Sequence, residues 1–259
     1  MIPYLGCKQR WAKEFLRILP DAENFYDLFG GGGSVTEAAF KMQENGLFGQ
    51  WKKWPNLHYN DINKGVYLLN EGIWQGTFDF EFAKNQTPSK KRYYEERRKP
   101  TAWSAFVSYV WSFGNKDDSF MYSDSSNTMR RNEHLQRIRR MERSPKIPNV
   151  ILSNEDYRAV AIKPDSVIYC DIPYNLGYKC HYRCRFDFQA FYEWAEQCKH
   201  PVYFSDYSLP NEVGNKFSPV WEKYIPVKIN VKLNKNKALY RTEKIYWNGK
   251  TVTQDLRIN

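Results

Sequence analysis

No stretch of the sequence approaches the about 20 unbroken apolar residues that cross a membrane, which argues against a membrane span. The opening residues, MIPYLGCKQRWAKEF, lack the charged-then-apolar pattern of a secretion signal, so the cytoplasm is the expected compartment. Cysteine is scarce and odd in number. Five in 259 residues exclude a fully paired disulfide framework and fit reduced thiols. Four of them (Cys170, Cys180, Cys184 and Cys198) lie near His181 and His200, but the spacing CHYRC matches no common closed zinc pattern. Cys170 also falls inside an apolar run, so no metal is expected. Repeats and low-complexity tracts are missing too, which excludes solenoid and disordered architectures. None of the four histidines has a sequence neighbour that singles it out for catalysis.

Acid is the scarcer charge, and the net charge is +10. Aromatic residues make up 17% of the chain, and a basic, aromatic surface suits a polyanionic partner. The excess is concentrated. Between Lys84 and Lys146 there are 15 Lys and Arg against 7 Asp and Glu.

Local patterns then order the chain. KQRWAKEFLRIL places Trp11, Phe15, Ile18 and Leu19 at helical spacing and stops at Pro20. NFYDLF reads as a strand and GGGGS as a turn. SVTEAAFKMQENG reads as a helix opened by a Ser34–Glu37 capping box and ended near Gly46. NLHYNDIN reads as a second strand, ending at Asp61. Strand, helix and strand in this succession predict an α/β fold with a parallel sheet. From 76 to 149 the chain becomes basic, aromatic and mainly helical, with YYEERRKP, AWSAFVSYVW and NEHLQRIRRMER as separate helical patches. SFGNKDDSFMYS between the last two reads as a hairpin or exposed loop near 112–122. The α/β rhythm returns in NVILSNEDYR, SVIYCDIPY, the helix DFQAFYEWAEQC and the strand PVYFSDYS. VKINVKLN alternates polar and apolar, and EKIYWN is a last short strand. The expected layout is one α/β domain, residues 1–75 and 150–259, interrupted by a basic insertion at 76–149.

Two stretches carry chemistry. YDLFGGGGS sets four glycines between a strand and a helix, where backbone N–H groups receive polar or anionic groups closely. It lacks the lysine of a P-loop, and its glycines miss the G-x-G-x-x-G spacing of nicotinamide and flavin enzymes. Asp61, ending the next strand, stands where such folds keep an acid for ribose hydroxyls, so the pair points to a nucleoside-type ligand. A flexible turn and a solvated aspartate are the plain alternative. The second stretch, VIYCDIPYNLGY, ends a buried strand on Asp171, Ile172, Pro173 and Tyr174. Asp171 and the carbonyl of Ile172 can each accept a hydrogen bond from an amine, Pro173 fixes the chain, and Tyr174 offers a flat face for a base. Two acceptors and a ring suit an exocyclic amine on a heterocycle, whose lone pair they would aim at an electrophilic methyl group. The alternative is a strand-ending turn with an N-cap aspartate.

DLFGGGGS, DIPY, YLGCKQR and NDIN, in their order along the chain, resemble the motifs of the Dam-type (D12 class, alpha-group) DNA adenine-N6 methyltransferases. The resemblance runs from Tyr4 to near Trp247 and is thin across the insertion. It implies a Rossmann-like methyltransferase sheet, S-adenosyl-L-methionine as cofactor, a mainly helical target-recognition insertion, and methyl transfer to adenine N6 in double-stranded DNA. It implies that Tyr4 and Lys8 hold the cofactor, that Asp27 and Phe29, Gly30, Gly31 and Gly32 flank its amino-acid part, and that Asp61 with Ile62 meets the ribose. Asp156 and Tyr157 would lie by the cofactor adenine. Asp171 would touch both cofactor and target amine, and Tyr174 would stack on a flipped adenine, since N6 is out of reach of this chemistry in the stacked duplex. Asn115, Lys116, Arg130 and Arg131 are the candidate DNA contacts, most other basic side chains meeting phosphates. No obligate protein partner is implied.

Two positions depart from the family. Ile172 replaces the first proline of D-P-P-Y, although a backbone carbonyl can still serve. Cys7 stands where a second glycine is usual. Alternatives stay open at this point: cytosine N4, RNA, or a non-catalytic nucleic-acid-binding protein with a decayed methyltransferase fold. Asp at 171, where the cytosine group usually carries Ser, favours adenine.

Overall fold

The computed structural model describes residues 1–4, 6–44, 53–115, 117, 119–121, 127–174, 186–227 and 239–252; for Glu44, Asn115, 127–131, Pro226, Val227 and Leu239 it describes the backbone only. Seven strands among these residues form one sheet. In chain order they are Asn24–Asp27 (β1), Asn56–Asn60 (β2), Ile151–Ser153 (β3), Ser166–Cys170 (β4), Val202–Asp206 (β5), Ser218–Val227 (β6) and Leu239–Trp247 (β7), and across the sheet they run β3-β2-β1-β4-β5-β7-β6. The pairs among β1 to β5 are parallel, and β7 is antiparallel to both β5 and β6. Strands β1, β4 and β5 are buried along their whole length, as expected of a parallel sheet covered on both faces. Alternate residues feed two cores. Phe25, Val167 and Tyr169 join one cluster, while Tyr26, Ile168 and Cys170 join the other.

Strand β6 has no counterpart among the sequence expectations. It carries Pro219 and Pro226, which remove ladder donors and confine it to the sheet edge. VKINVKLN lies outside the described residues beyond Val227. The first helix, Ala12–Leu16 (α1), buries Phe15 and Leu16, and Leu19 beyond it is buried as well. Ile18 is 44% exposed, against its expected place on the buried face, because the helix closes before it.

Helix Ser34–Glu44 (α2) corrects a second expectation. Ser34 is its first helical residue rather than its N-cap, and its hydroxyl accepts from the Lys8 backbone N–H at 3.2 Å. Glu37 turns to the Met1 ammonium and the Trp74 indole N–H. The capping is done by Asp27, whose Oδ2 accepts from the Thr36 N–H at 3.2 Å and hydroxyl at 2.7 Å. Lys64–Gln75 (α3) was not among the expected elements, yet both ends were signalled. The Asn63 side chain caps Gly65 and Val66 N–H, and Gly76 ends the helix at φ +80°.

The insertion contributes Phe80–Asn85 (α4), Lys90–Glu96 (α5), Ala102–Val110 (α6) and Asn127–Glu142 (α7). Asp79, Ser89 and Thr101 cap the first three. Between α6 and α7, Ser112 and Phe120 form an antiparallel bridge. Around it, Phe113 N–H donates to Ser119 O and Met121 N–H to Trp111 O. These helices share the sheet's core. Phe106, Val110, Ile138 and Met141 are fully buried in the same cluster as Val66, Leu69 and Ile73 of α3. A Cβ on Gly65 would lie 3.3 Å from that of Ala105, so α3 and α6 meet closely. No helix among the described residues is long and apolar enough to cross a membrane.

Candidate active site

The chain turns from β1 to β2 on one side of the sheet and returns to β4 on the other, so the crevice opens at the carboxyl ends of β1 and β4. β1 ends on Asp27 and leads into the glycine loop, and β4 leads directly into Asp171. The loop is held from several sides. Gly30 N–H donates to Asn60 O, Ile2 N–H to Gly32 O, and the Tyr59 hydroxyl and Asn70 amide to Gly31 O, both at 2.8 Å. Sequence reading assigned these glycines to ligand approach, but much of the need for glycine comes from the protein itself. A Cβ on Gly30 would sit 2.1 Å from the Tyr59 ring, one on Gly32 2.7 Å from Ile2 O, and one on Gly33 2.5 Å from Trp74. Tyr4 lies against Gly31 and packs on Tyr109 at 4.9 Å.

Asp61 follows β2 and uses both carboxylate oxygens on backbone. Oδ2 accepts from Gly31 N–H and Oδ1 from Asn63 N–H, each at 2.7 Å, tying the glycine loop to the start of α3. Burial pushes its carboxyl up to about 6. Ile62 beside it is 65% exposed, an apolar side chain left open at the crevice. Phe29 packs on Tyr157 at 5.2 Å, and Tyr157 is buried against Phe191 and Trp194. Asp156 is paired with Arg158 through both oxygens, which holds its carboxyl below the usual range.

The DIPY segment meets the N-terminal segment at the buried Lys8. Lys8, 2% exposed, donates to Asp171 Oδ1 at 2.7 Å and Oδ2 at 2.9 Å, to the Tyr174 hydroxyl at 2.5 Å and to Gly6 O at 3.2 Å. Glu243 of β7 stands 3.4 Å from Lys8 and accepts from the Tyr174 hydroxyl. The ring of Tyr174 meets Tyr207 edge-on at 4.5 Å. Ile172 is buried in the second core cluster and Pro173 is also buried, so this stretch is anchored by an apolar side chain where the family has a first proline. Burial pushes Asp171 up, with Lys8 pulling part of the way back. Glu243 was missed by sequence reading: in EKIYWN it looks like any polar residue of a terminal strand.

Of the remaining candidates, Arg130 and Arg131 lie on α7 and Asn115 in the turn Phe113–Asn115, with their side chains outside the described residues; Lys116 lies outside altogether. So do Cys180, His181 and Cys184 of the rejected zinc grouping. One basic residue of the insertion has a structural task instead of a phosphate. Buried Arg137 donates to Tyr109 O, Val110 O and Ser112 O, closing the carboxyl end of α6.

With this geometry in place, a comparison of the sequence with protein families is decisive. The model of the D12 class N6 adenine-specific DNA methyltransferases matches residues 4–254. The chain belongs to that family. The methyltransferase therefore acts on adenine N6 in DNA, with S-adenosylmethionine as methyl donor. Among solved structures, two of the rRNA methyltransferase AviRa from Streptomyces viridochromogenes are similar. One is 10% identical with a TM-score of 0.40, covering 95% of this chain and 87% of that one. The other is 12% identical with a TM-score of 0.39, covering 93% and 85%. Comparison with curated proteins gives no match.

The methyltransferase's crevice fits the donor in one specific respect. Asp27 is buried, and among the described residues its Oδ1 has no hydrogen-bond partner. Burial pushes its carboxyl up to about 7, a cost that an ammonium group such as the donor's amino-acid nitrogen would relieve. The sign is definite. Because the folded pKa exceeds the unfolded one, ionising Asp27 weakens the ligand-free fold as pH rises from about 4 to about 7. Asp27→Asn is therefore expected to flatten the fall in melting temperature over that range and to weaken S-adenosylmethionine binding. Thermal melts from pH 4 to 8, with and without the donor, check both; parallel curves for the two proteins would remove the argument.

Proposed function

We propose that the methyltransferase works on duplex DNA and rotates the target adenine out of the stack, with Asp171 and the Ile172 carbonyl accepting from its N6 amine. The observation that carries this reading is the position of Asp171. It directly follows β4, the strand paired with β1, whose end opens the glycine loop, and the N-terminal segment reaches it through Lys8. S-adenosylmethionine supplies an electrophilic methyl group on a sulfonium. Two acceptors on the N6 hydrogens favour a pyramidal nitrogen and aim its lone pair, so orientation and electrostatics do most of the work. Asp171 then stands ready to take the proton the nitrogen must lose. Tyr174 offers a face to the extruded base, while its hydroxyl stays in the Lys8 and Glu243 cluster. Asp27 and the glycine loop receive the amino-acid part of the donor, Asp61 and Ile62 face its ribose, and Phe29, Asp156 and Tyr157 flank its adenine.

The basic insertion is read as the DNA-docking region. Beside it, Lys64, Arg98 and Lys99, with Asp117 paired to Arg98, line a cleft of about 240 Å³ bounded by Tyr109, the residue that packs on Tyr4 beside the glycine loop. Phosphates following this side of the crevice would meet positive charge. The cytoplasm is the compartment this reading implies, and it invokes no obligate protein partner.

The test has two stages. Random duplex DNA is methylated and sequenced to find the target. The target adenine is then replaced by the fluorescent analogue 2-aminopurine in duplex and in single-stranded DNA. A rise in fluorescence when the methyltransferase binds the duplex is the expected outcome. Transfer to single strands alone, or binding to the duplex without a fluorescence change, would overturn the proposal.

A further inference from the structure

Buried Lys8 and Glu243 form a cluster with half-buried Asp171 and Tyr174 that holds one lysine and two acids. Glu243 is 1% exposed, and it lies opposite Lys223 in the β6–β7 pairing. Its carboxylate accepts from the Tyr174 hydroxyl, which in turn accepts from Lys8 and lies 3.5 Å from Asp171 Oδ1. Lys8 has three hydrogens for Asp171, Tyr174, Gly6 O and Glu243, so the two carboxylates compete for it. Were Asp171 the only acid, Lys8 would neutralise it outright. When both acids are ionised, two on one lysine leave the cluster with a spare negative charge.

We infer that Glu243 is a positioning residue for methyl transfer: it fixes the Tyr174 hydroxyl and shares Lys8, so that Asp171 keeps the negative character needed to receive the target amine's proton. The inference rests on the assignment of Asp171 to the reaction. In the transfer, the nitrogen lone pair forms the bond to the methyl carbon as the carbon–sulfur bond breaks onto sulfur. The nitrogen then carries a positive charge until one of its protons passes to Asp171. With both carboxylates ionised the cluster has net charge −1, which favours that charged nitrogen more than the neutral amine it replaces. The other groups facing Glu243 are accounted for. Tyr169 of β4 and Tyr207 after β5 are neutral phenols, Lys223 opposite it on β6 pairs with Glu14, and Arg241 on β7 covers the Tyr207 ring.

Glu243→Gln keeps the shape and an acceptor for Tyr174 but removes the charge. The expected result is a fall in kcat of about tenfold or more with KM for the donor little changed. Loss of the neighbouring negative charge also lowers the Asp171 pKa, so the acidic limb of the kcat/KM profile moves to lower pH. Glu243→Asp, which keeps the charge, should hold the limb in place and recover part of kcat. Melting curves and donor binding establish that each variant is folded; if Glu243→Gln is not, Glu243→Asp decides by whether its limb stays at the parent pH. An unmoved limb in folded Glu243→Gln, or equal loss in both variants, overturns the inference. Asp171→Asn is run alongside. If it retains full activity, the assignment of Asp171 has failed; if it is inactive while Glu243→Gln behaves as the parent, only the role of Glu243 has failed.

Discussion

Asp171→Asn is expected to lower turnover by at least about a thousandfold, equivalent to about 4 kcal/mol of transition-state stabilisation, while the protein stays folded. The asparagine keeps one acceptor oxygen but carries no negative charge and is not a base. The new amide nitrogen faces the Lys8 ammonium, which in the parent lies within 2.9 Å of both carboxylate oxygens. Under the proposed assignment, no group remains at that point to take the proton. The fold survives because Lys8 retains Glu243, Tyr174 and Gly6 O as partners. Single-turnover transfer of labelled methyl, read against the melting temperature, checks the prediction. Activity within about tenfold of the parent would show that the proton leaves by another route.

Lys8→Met acts on stability as well as chemistry. The substitution fills the volume but leaves Asp171 and Glu243 facing each other without a cation, and removing one partner from a buried ion pair costs about 3–5 kcal/mol. In a chain of this size that lowers the melting temperature by about 10 °C. Burial already pushes both carboxyls upward, and losing Lys8 pushes them further. Folded pKa values above the unfolded ones mean that stability is lost as pH rises, so the deficit should shrink at pH 5 and widen at pH 8. A deficit independent of pH would show that Lys8 contributes packing alone. Methyl transfer is expected to be undetectable in this variant.

Local signals read well from sequence wherever one element carries its own pattern. The succession β1, α2, β2 was legible because apolar runs, the glycine turn and Asp61 follow one another within a single unit. Strand β4 was legible because its burial on both faces leaves an unbroken apolar run ending on Asp171. What escaped depends on distant partners. Strand β6 hides behind Pro219 and Pro226, which argue against a strand unless it is known to lie at an edge. The capping of α2 misled because the acceptor is Asp27, a residue of the preceding strand brought back by the glycine loop. Ser34 and Glu37 have the spacing of a capping box but spend their side chains on Lys8, Met1 and Trp74. Glu243 stayed invisible because its partner Lys8 lies at the other end of the chain, and no periodicity joins a terminal strand to an N-terminal loop. Motif resemblance identified Lys8, but its contact with Asp171 became visible only in three dimensions.

The close meeting of α3 and α6 bears on how the proposed DNA-docking segment could be exchanged. Residues 76–149 look in sequence like a cassette, yet Phe106, Val110, Ile138 and Met141 cover Val66, Leu69 and Ile73, and Arg137 closes α6 from within. Exchanging the whole segment with a relative would uncover one side of the sheet and import helices shaped for another. The surface turns between helices are the places where side chains can change without disturbing the hydrophobic joint. The fold trades interchangeable parts for a rigid connection between the strands that carry the chemistry and the helices that carry the positive charge.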